Sequence, residues 1–234
     1  MLSVFIAGLK KQSGKTLVSA GLAGTLQSLS YATSYYKPIQ TGSNLINNDE
    51  EFISKFDSNI KTYTTYRFNS PLSPLFGAYE EGIKKIDKSK IFQDYKNNAY
   101  MCECHIVEGA NSISSPVDTK LTECGIVSTL DLPVILVVNP ITCKIEDIIS
   151  GVNYIYSNRI KLIGIVINEY NQNSQNLEHK YFPQIIKEYT GAHILGMLPH
   201  YDDFENLNAG VLISDTLNNF NLEEIFGLKI AKLA

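Results

Sequence analysis

Short apolar runs alternate along the chain with longer segments whose apolar residues recur at helical spacing. The runs are rich in Val and Ile and apolar on both faces, which is typical of the central strands of a parallel sheet. Strands are predicted at the following positions, the last from a weaker pattern: Ser3–Ala7, Ala32–Tyr36, Cys104–Glu108, Val134–Val138, Leu162–Asn168 and His193–Met197.

The segments between these strands have helical potential. Helices are predicted at Lys15–Leu29, Asp49–Phe56, Ser73–Glu81, Asp87–Asn97, Leu121–Leu130, Lys144–Ser157 and Leu177–Thr190. The alternation indicates an α/β fold with a doubly wound, mostly parallel sheet flanked by helices. Because the chain has no internal repeat, low-complexity tract or linker rich in Pro or Gly, we expect residues 1–234 to form a single domain.

The segment between the first strand and the first helix has the composition of a phosphate-binding loop. It begins at Gly8 and ends in Gly-Lys-Thr at the start of the helix. Backbone N–H groups at a helix N-terminus and the helix dipole favour an anion there. Gly14 lets the backbone approach phosphates, Lys15 is placed to reach the β/γ oxygens, and Thr16 offers a hydroxyl to Mg²⁺. The common spacing has glycine at the position of Leu9, and the alternative is a lysine-rich turn at a helix start.

Polar residues near the strand ends are further candidates, because ligands of such sheets bind beyond the carboxyl ends of the strands. Lys37 is either a second cation on a transferring phosphate or an ordinary surface lysine. Glu108 is either a Mg²⁺ ligand, directly or through water, or a charged residue where a strand reaches solvent. Asp49 lies in an acidic helix start, which the helix dipole alone favours. The amide of Asn168 offers a paired donor and acceptor suited to a purine edge, but asparagine is equally common as a turn residue.

Composition narrows the classes of function. Hydrophobic residues make up 44% of the 234, enough for a sizeable core, and the net charge is −4 with scattered Lys and Arg. This argues against a nucleic-acid surface but allows a local site for a polyanionic small molecule. No run approaches the ~20 apolar residues of a membrane helix, and no signal peptide is evident. We therefore expect a cytoplasmic protein that binds neither nucleic acid nor membrane.

Cysteine, histidine and serine give no sign of other catalytic chemistry. The cysteines lack metal-ligand spacing and are expected to be free thiols in a reducing compartment. They are Cys102, Cys104, Cys124 and Cys143. The histidines are isolated, and no serine lies in a Gly-x-Ser-x-Gly context.

Taken in order, the motifs resemble those of dethiobiotin synthetase. That family's loop runs Gly, five residues, Gly-Lys-Thr, which accounts for the place of Gly8. Residues 37–42 (Lys-Pro-Ile-Gln-Thr-Gly) resemble its Lys-Pro-x-x-Ser/Thr-Gly, and residues 107–110 match its Val-Glu-Gly-Ala. Further similar segments follow in the same order: residues 73–74 (Ser-Pro), 132–138 (Leu-Pro-Val-Ile-Leu-Val-Val), 166–169 (Val-Ile-Asn-Glu) and 195–199 (Leu-Gly-Met-Leu-Pro).

The resemblance implies an ATP-dependent carboxylase that closes a ring. CO₂ would add to one amine of 7,8-diaminononanoate, and the carbamate oxygen would attack the γ-phosphate of MgATP. The second amine would then close a cyclic urea and expel phosphate, giving dethiobiotin. The resemblance also implies a homodimer with the substrate at the subunit interface. The small-molecule partners would be the diamine, CO₂ or bicarbonate, and ATP.

The resemblance implies a role for each matching residue. Lys15 and Lys37 would flank the transferring phosphoryl group and neutralise its charge. Nucleotide contacts would come from Gln12, Ser13, Gly14, Lys15, Thr16, Leu17, Asn168, Pro199, His200 and Tyr201. Mg²⁺ would be held by Thr16, Asp49 and Glu108. Substrate contacts would come from Lys11, Lys37, Thr41, Ala110, Asn111, Thr142 and Cys143, the last two through the loop that meets the partner chain's substrate.

Three segments depart from the family's pattern, all where the substrate is expected. Residues 9–11 (Leu-Lys-Lys) replace Thr-Asp-Thr, residues 111–112 (Asn-Ser) replace Gly-Gly, and residues 141–146 replace a segment close to Lys-Leu-Gly-Cys-Ile-Asn. The two additional lysines make that region more cationic. The sequence thus supports a nucleotide site more strongly than a diamine site.

Other functions fit parts of the sequence. One is that of a divergent relative of the synthetase acting on another amine or carboxylate. Another is a deviant-loop ATPase of the chromosome- and septum-positioning kind, in which Lys10 would reach the partner's phosphates. The glycine pair of that class is absent, because residues 11 and 12 are Lys and Gln. The last is a non-enzymatic nucleotide-binding or interaction protein.

Overall fold

The computed structural model describes residues 2–44, 48–204 and 206–227. The strands are β1 Leu2–Gly8, β2 Thr33–Thr41, β3 Lys61–Phe68, β4 Cys104–Ser112, β5 Val134–Val138, β6 Leu162–Ile167 and β7 Ile194–Met197. The helices are α1 Lys15–Ser28, α2 Asp49–Phe56, α3 Pro74–Glu80, α4 Lys88–Ala99, α5 Glu123–Leu130, α6 Ile145–Ser157, α7 Leu177–Thr190, α8 Ala209–Asn219 and α9 Leu222–Phe226. The expected single domain over residues 1–234 includes residues 1, 45–47, 205 and 228–234, which lie outside the described residues.

The strands form a seven-stranded sheet in the order β3-β2-β4-β1-β5-β6-β7, and every paired strand in the described ranges is parallel. Helices α1, α2, α8 and α9 contribute to the hydrophobic core on one face of the sheet. Helices α3 to α7 contribute to the core on the other face. The prediction of a doubly wound α/β fold is therefore confirmed.

The register of the central strands determines where the site lies. Ile6 of β1 pairs with Glu108 of β4, and Tyr36 of β2 pairs with Val107 of β4. Lys37, which follows Tyr36, is consequently placed beside Glu108 at the carboxyl edge of the sheet. The phosphate loop leaves β1 at the same edge.

Several elements differ from the sequence prediction. Strand β3 is absent from that prediction, because its sequence (Lys-Thr-Tyr-Thr-Thr-Tyr-Arg-Phe) is polar and half-exposed at the edge of the sheet, although Thr and Tyr favour strands. Helices α8 and α9 are absent from it as well. Strand β2 continues to Thr41, four residues beyond Lys37, and tolerates Pro38 because the paired register with β4 ends at Tyr36.

The fold bears on two predictions made from composition. All four cysteines are free, as expected, and three of them are buried. Within the described ranges, none of the helices has the length and apolar character needed to cross a membrane.

His105 lies in the core, far along β4 from the carboxyl edge, and is fully buried. Its Nδ1 contacts the Ser34 hydroxyl, and its ring stacks with Tyr36 at a centroid distance of 6.0 Å and packs against Tyr95 at 5.2 Å. Burial lowers the pKa of His105 to about 4. The imidazole is therefore neutral in the folded protein at pH 7.

We expect His105 to make the protein acid-sensitive. Its folded pKa lies below the unfolded value near 6.5, so its stabilising contribution is complete above that value and is lost as the pH falls toward about 4. The loss amounts to about 3 kcal/mol. Urea unfolding of the wild type and of His105→Gln at pH 7 and at decreasing pH measures it. An equal pH dependence in the two proteins would refute this account.

Candidate active site

The loop between β1 and α1 presents its backbone to the solvent side of the sheet edge. Gly14 (φ +94°) and Gln12 (φ +62°) adopt the left-handed conformation. Within the described part of the chain, the N–H groups of residues 9–13 make no hydrogen bond to the protein backbone. Ser13 is fully buried close to Gly8. A loop of unpaired N–H groups before a helix N-terminus is suited to bind an anion.

Oxygen ligands from α1, α2 and β4 converge beside this loop. The hydroxyl of Thr16 lies 2.9 Å from Oδ1 of Asp49 and 2.9 Å from Oε1 of Glu108. The ammonium of Lys37 donates to Oδ2 of Asp49 and, at 2.9 Å, to Oε1 of Glu108. The second oxygen of Glu108 accepts from the Tyr35 hydroxyl at 3.0 Å. One lysine thus bridges two carboxylates that also share the hydroxyl of the phosphate loop.

The opposite charges in this cluster stabilise the ionised forms of Lys37 and Asp49. Burial alone would lower the pKa of Lys37, but Asp49 and Glu108 together outweigh it and raise that pKa above its usual value. Burial acts to raise the pKa of Asp49, whereas Lys37 and the Thr16 hydroxyl lower it, and the result is a lowered pKa. Both groups are therefore charged at pH 7.

Lys15 is a buried cation of a different kind. Only 6% of the residue is exposed, and among the residues that the structure describes no carboxylate lies within ion-pair distance of its ammonium. Burial lowers its pKa, partly offset by the more distant Glu108. A buried cation without a partner is costly unless a ligand supplies the anion.

The residues predicted to hold Mg²⁺ fit that ion in chemistry. Thr16, Asp49 and Glu108 offer a hydroxyl and two carboxylates, the hard oxygen ligands that Mg²⁺ prefers. No group of three or more His, Cys, Asp or Glu side chains suited to a metal occurs in residues 2–44, 48–204 and 206–227. An ion at this site would therefore complete its coordination with water and phosphate oxygens, as Mg²⁺ commonly does.

Asn168 lies against the phosphate loop at the end of β6. It is 3% exposed, its backbone N–H donates to the Val138 carbonyl at 2.8 Å, and its buried Oδ1 has no partner among the described residues. A Cβ built on Gly14 would lie 2.5 Å from Cγ of Asn168 and closer still to Nδ2. The amide therefore packs on Gly14 and retains an unpaired acceptor.

Aromatic side chains also line the site. Phe52 of α2 stacks on Phe204 with ring centroids 4.3 Å apart. The Tyr201 hydroxyl donates to Asp215 at 2.6 Å, which fixes the segment that also carries His200. These rings give part of the site an apolar surface.

A cavity of about 620 Å³ joins these features. Of the predicted nucleotide residues, all but Pro199 line it: Gln12, Ser13, Gly14, Lys15, Thr16, Leu17, Asn168, His200 and Tyr201. The predicted metal ligands line it too: Thr16, Asp49 and Glu108. Four predicted substrate residues line it: Lys11, Lys37, Thr41 and Ala110. The other three lie outside its lining: Asn111, Thr142 and Cys143, of which Cys143 is buried in the core. The roles of all these residues remain predictions.

Sequence reasoning missed Glu123, a buried carboxylate behind the cavity wall. Its Oε1 accepts the N–H groups of Ala110 at 2.7 Å and Asn111 at 3.1 Å. Burial raises its pKa, and Lys15 and these N–H bonds oppose the rise. The only sequence signal is a glutamate in the first turn of a helix, which the helix dipole already explains.

We expect Gly14→Ala to weaken nucleotide binding and lower stability. A side chain here meets a left-handed φ and a collision with Asn168. Gly82→Ala is the matched control, since Gly82 has φ +73° but open space around it. The control should lose about 1 kcal/mol of unfolding free energy, and Gly14→Ala about 1–3 kcal/mol more. Urea unfolding and ATP titration test this, and equal losses in both variants would contradict it.

The fold and this site define a phosphate-loop nucleotide-binding protein. The chain belongs to the AAA domain family AAA_26, which matches residues 3–208. It is 27% identical over 223 residues to the ATP-dependent dethiobiotin synthetase BioD of Bacillus subtilis (strain 168), covering 93% of this chain and 96% of the relative. It is also 27% identical to the Clostridium acetobutylicum (strain ATCC 824) protein of that name, covering 97% and 98%. The predicted resemblance to dethiobiotin synthetase is thus confirmed, and these relatives agree with the predicted ligase class and ATP use.

Solved structures show the same fold. A chain of the MinC:MinD cell division protein complex of Aquifex aeolicus superposes with a TM-score of 0.62 at 15% identity, covering 100% of this chain and 99% of that chain. The McdA protein of Cyanothece, solved as a variant in complex with ATP, gives a TM-score of 0.62 at 12% identity, with the same coverage. At these identities the likeness concerns the fold alone.

Proposed function

We propose that the protein is a dethiobiotin synthetase that uses MgATP to carboxylate 7,8-diaminononanoate and close the cyclic urea. The products would be dethiobiotin, ADP and phosphate. The observation that carries the proposal is the meeting of Lys15, Lys37 and the oxygens of Thr16, Asp49 and Glu108 at one end of the cavity. The relatives named above support the substrate assignment.

The two lysines would act on the transferring phosphoryl group from different positions. Lys15 has no carboxylate partner among the described residues and would meet the β/γ oxygens. Lys37 is held by Asp49 and Glu108 and would orient the anionic carbamate before its attack. Fixed cations stabilise the charge that develops during phosphoryl transfer because they need no reorganisation.

Mg²⁺ bound to Thr16, Asp49 and Glu108 would neutralise phosphate charge. In this chain Lys37 bridges the same carboxylates, so its ammonium must leave one oxygen of Asp49 or Glu108 free for the ion. The Tyr35 hydroxyl fixes the other Glu108 oxygen and limits the rotation of that carboxylate. The unpaired Oδ1 of Asn168 is an acceptor suited to an exocyclic amine of adenine.

The diamine would lie at the end of the cavity formed by Lys11, Thr41 and Ala110. We further propose a homodimer, in which residues 141–146 of one subunit face the substrate of the other. Ile141 is 68% exposed and Thr142 is also exposed, so this loop is available for such a contact. The four free thiols support a reducing, cytoplasmic location.

Incubation of the protein with MgATP, bicarbonate and 7,8-diaminononanoate tests the proposed function. We expect phosphate release that depends on the diamine, and a product with the mass of dethiobiotin. Omission of bicarbonate is the control, because a plain ATPase continues without it. ATP hydrolysis that is indifferent to the diamine would reject this function and favour a nucleotide-driven ATPase. Turnover with another amine alone would indicate a divergent relative.

A further inference from the structure

The phosphate loop contacts α6 through the first residue after Gly8. Leu9 is half-buried and packs against the hydrophobic core of its face of the sheet. Its side chain occupies a niche at Gly151, a buried residue of α6. A Cβ built on Gly151 would lie 3.2 Å from Cδ1 and 3.3 Å from Cγ of Leu9, and closer still to Cδ2. The niche therefore exists only because α6 has glycine at this position.

The next residue of the loop contacts the same helix. The ammonium of Lys10 donates to Oδ2 of Asp147 at 2.6 Å. The same oxygen of Asp147 accepts the backbone N–H of Lys144 at 3.0 Å and so caps α6. Asp147 and Gly151 are four residues apart and lie on one face of the helix. Two consecutive loop residues thus contact one face of α6, one turn apart.

These side-chain contacts matter because backbone hydrogen bonds do not hold this part of the loop within the described ranges. Residues 9–13 have no backbone hydrogen bond to the rest of the described chain. Lys11 makes a long bond of 3.3 Å to the carbonyl of Pro71, which also lines the cavity. The direction in which the loop N–H groups and Lys15 point therefore depends on how Leu9 and Lys10 lie on α6.

We propose that Leu9 and Lys10 are positioning residues that seat the phosphate loop on α6, Leu9 in the niche at Gly151 and Lys10 on Asp147. The proposal rests on the proposed function only for nucleotide binding, not for the diamine chemistry. It explains two of the three residues by which residues 9–11 depart from the synthetase pattern. It also assigns Lys10 an internal partner, in place of the phosphates of a second subunit.

The two contacts differ in expected strength. The Leu9 contact is apolar and partly buried, and its loss leaves a void between the start of the loop and α6. The Lys10–Asp147 pair is exposed, with side-chain exposures of 43% and 36%, so solvent and salt screen it. We therefore expect Leu9 to set the distance between the loop backbone and α6. Lys10 should set the orientation of the loop relative to the helix.

A size exchange between residues 9 and 151 tests the proposal. Gly151→Ala should push Leu9 out of its niche and weaken binding of a fluorescent ATP analogue about tenfold, because small displacements of positioning groups have effects of this order. Leu9→Ala should weaken binding several-fold. The double variant Leu9→Ala/Gly151→Ala should bind better than Gly151→Ala, because the new methyl group then fills the space left by Leu9.

The control is Gly24→Ala, another glycine in a helix, where the added Cβ would meet Ile213 at 3.1 Å on the opposite face of the sheet. It should lower the melting temperature while the affinity for nucleotide stays within about twofold of wild type. This comparison separates positioning from general loss of stability. If Gly151→Ala does not fold, Leu9→Ala and the double variant carry the test.

Unchanged nucleotide affinity in Leu9→Ala would overturn the proposal. So would a double variant no better than a folded Gly151→Ala, or an affinity loss in Gly24→Ala equal to that in Gly151→Ala. All these measurements concern ATP binding without diamine. If the variants show the expected affinities but the protein forms no dethiobiotin, the positioning proposal stands and only the proposed function is rejected.

Discussion

Lys15→Ala should reduce diamine-dependent phosphate release roughly 10²–10³-fold without loss of the fold. The ammonium is buried and lacks an ion-pair partner among the described residues, so the protein bears a desolvation cost that only a bound anion offsets. Alanine removes that cost together with the charge. We therefore expect the melting temperature of the ligand-free variant to equal or exceed that of the wild type.

Phosphate release and thermal unfolding of the same preparation measure the two effects. Lys161→Ala is the control, since Lys161 is exposed and precedes β6 at the amino edge of the sheet, opposite the cavity. It should leave both quantities unchanged. Turnover of Lys15→Ala close to that of wild type would refute the phosphate-loop assignment.

Lys37→Met should reduce both turnover and stability, in contrast to Lys15→Ala. Lys37 neutralises Asp49 and Glu108, so its removal leaves two largely buried carboxylates unpaired. Breaking a buried pair in this way costs about 3–5 kcal/mol of unfolding free energy. Turnover should fall roughly 10²–10³-fold, because a fixed cation beside the phosphoryl group is lost.

Added Mg²⁺ should distinguish this explanation from simple misfolding. With the ammonium gone, the two carboxylates and the Thr16 hydroxyl are free to bind the ion, and binding to the folded state alone raises the melting temperature. MgCl₂ should therefore stabilise Lys37→Met more than wild type, and chelation with EDTA should reverse the effect. Lys120→Met, at an exposed lysine, is the control. An equal response to Mg²⁺ in all three proteins would contradict the assigned metal ligands.

Most of the fold followed from local sequence patterns. The central strands β1, β4, β5 and β6 are apolar on both faces, and α2 and α7 begin and end where the sequence predicts. Strand β3 was not predicted because an edge strand is only half-buried. Its many polar side chains obscure the alternation of apolar and polar residues that marks a strand. Near the end of the described chain, α8 was not predicted either, although it contains the apolar run Val-Leu-Ile at residues 211–213; its buried residues are Leu212 and Thr216.

The candidate site was predictable where one short segment carries the chemistry. Gly-Lys-Thr after a strand is such a segment, and all of its residues line the cavity. Glu123 was not predictable, because its carboxylate meets the N–H groups of Ala110 and Asn111 only after α5 has packed on the end of β4. Phe204 likewise joins the site only through its stack on Phe52.

The sequence by itself determined the order of the strands and helices that it predicted, the phosphate loop and the residue types offered to an anion, because each depends on neighbours along the chain. The tertiary structure alone decided that β2 and β4 lie side by side, which brings Lys37 within 2.9 Å of Glu108. It alone placed Lys10 on Asp147, 137 positions away. Such contacts depend on strand pairing and helix packing between distant segments. The local hydrophobic periodicity does not indicate which segments will pack together.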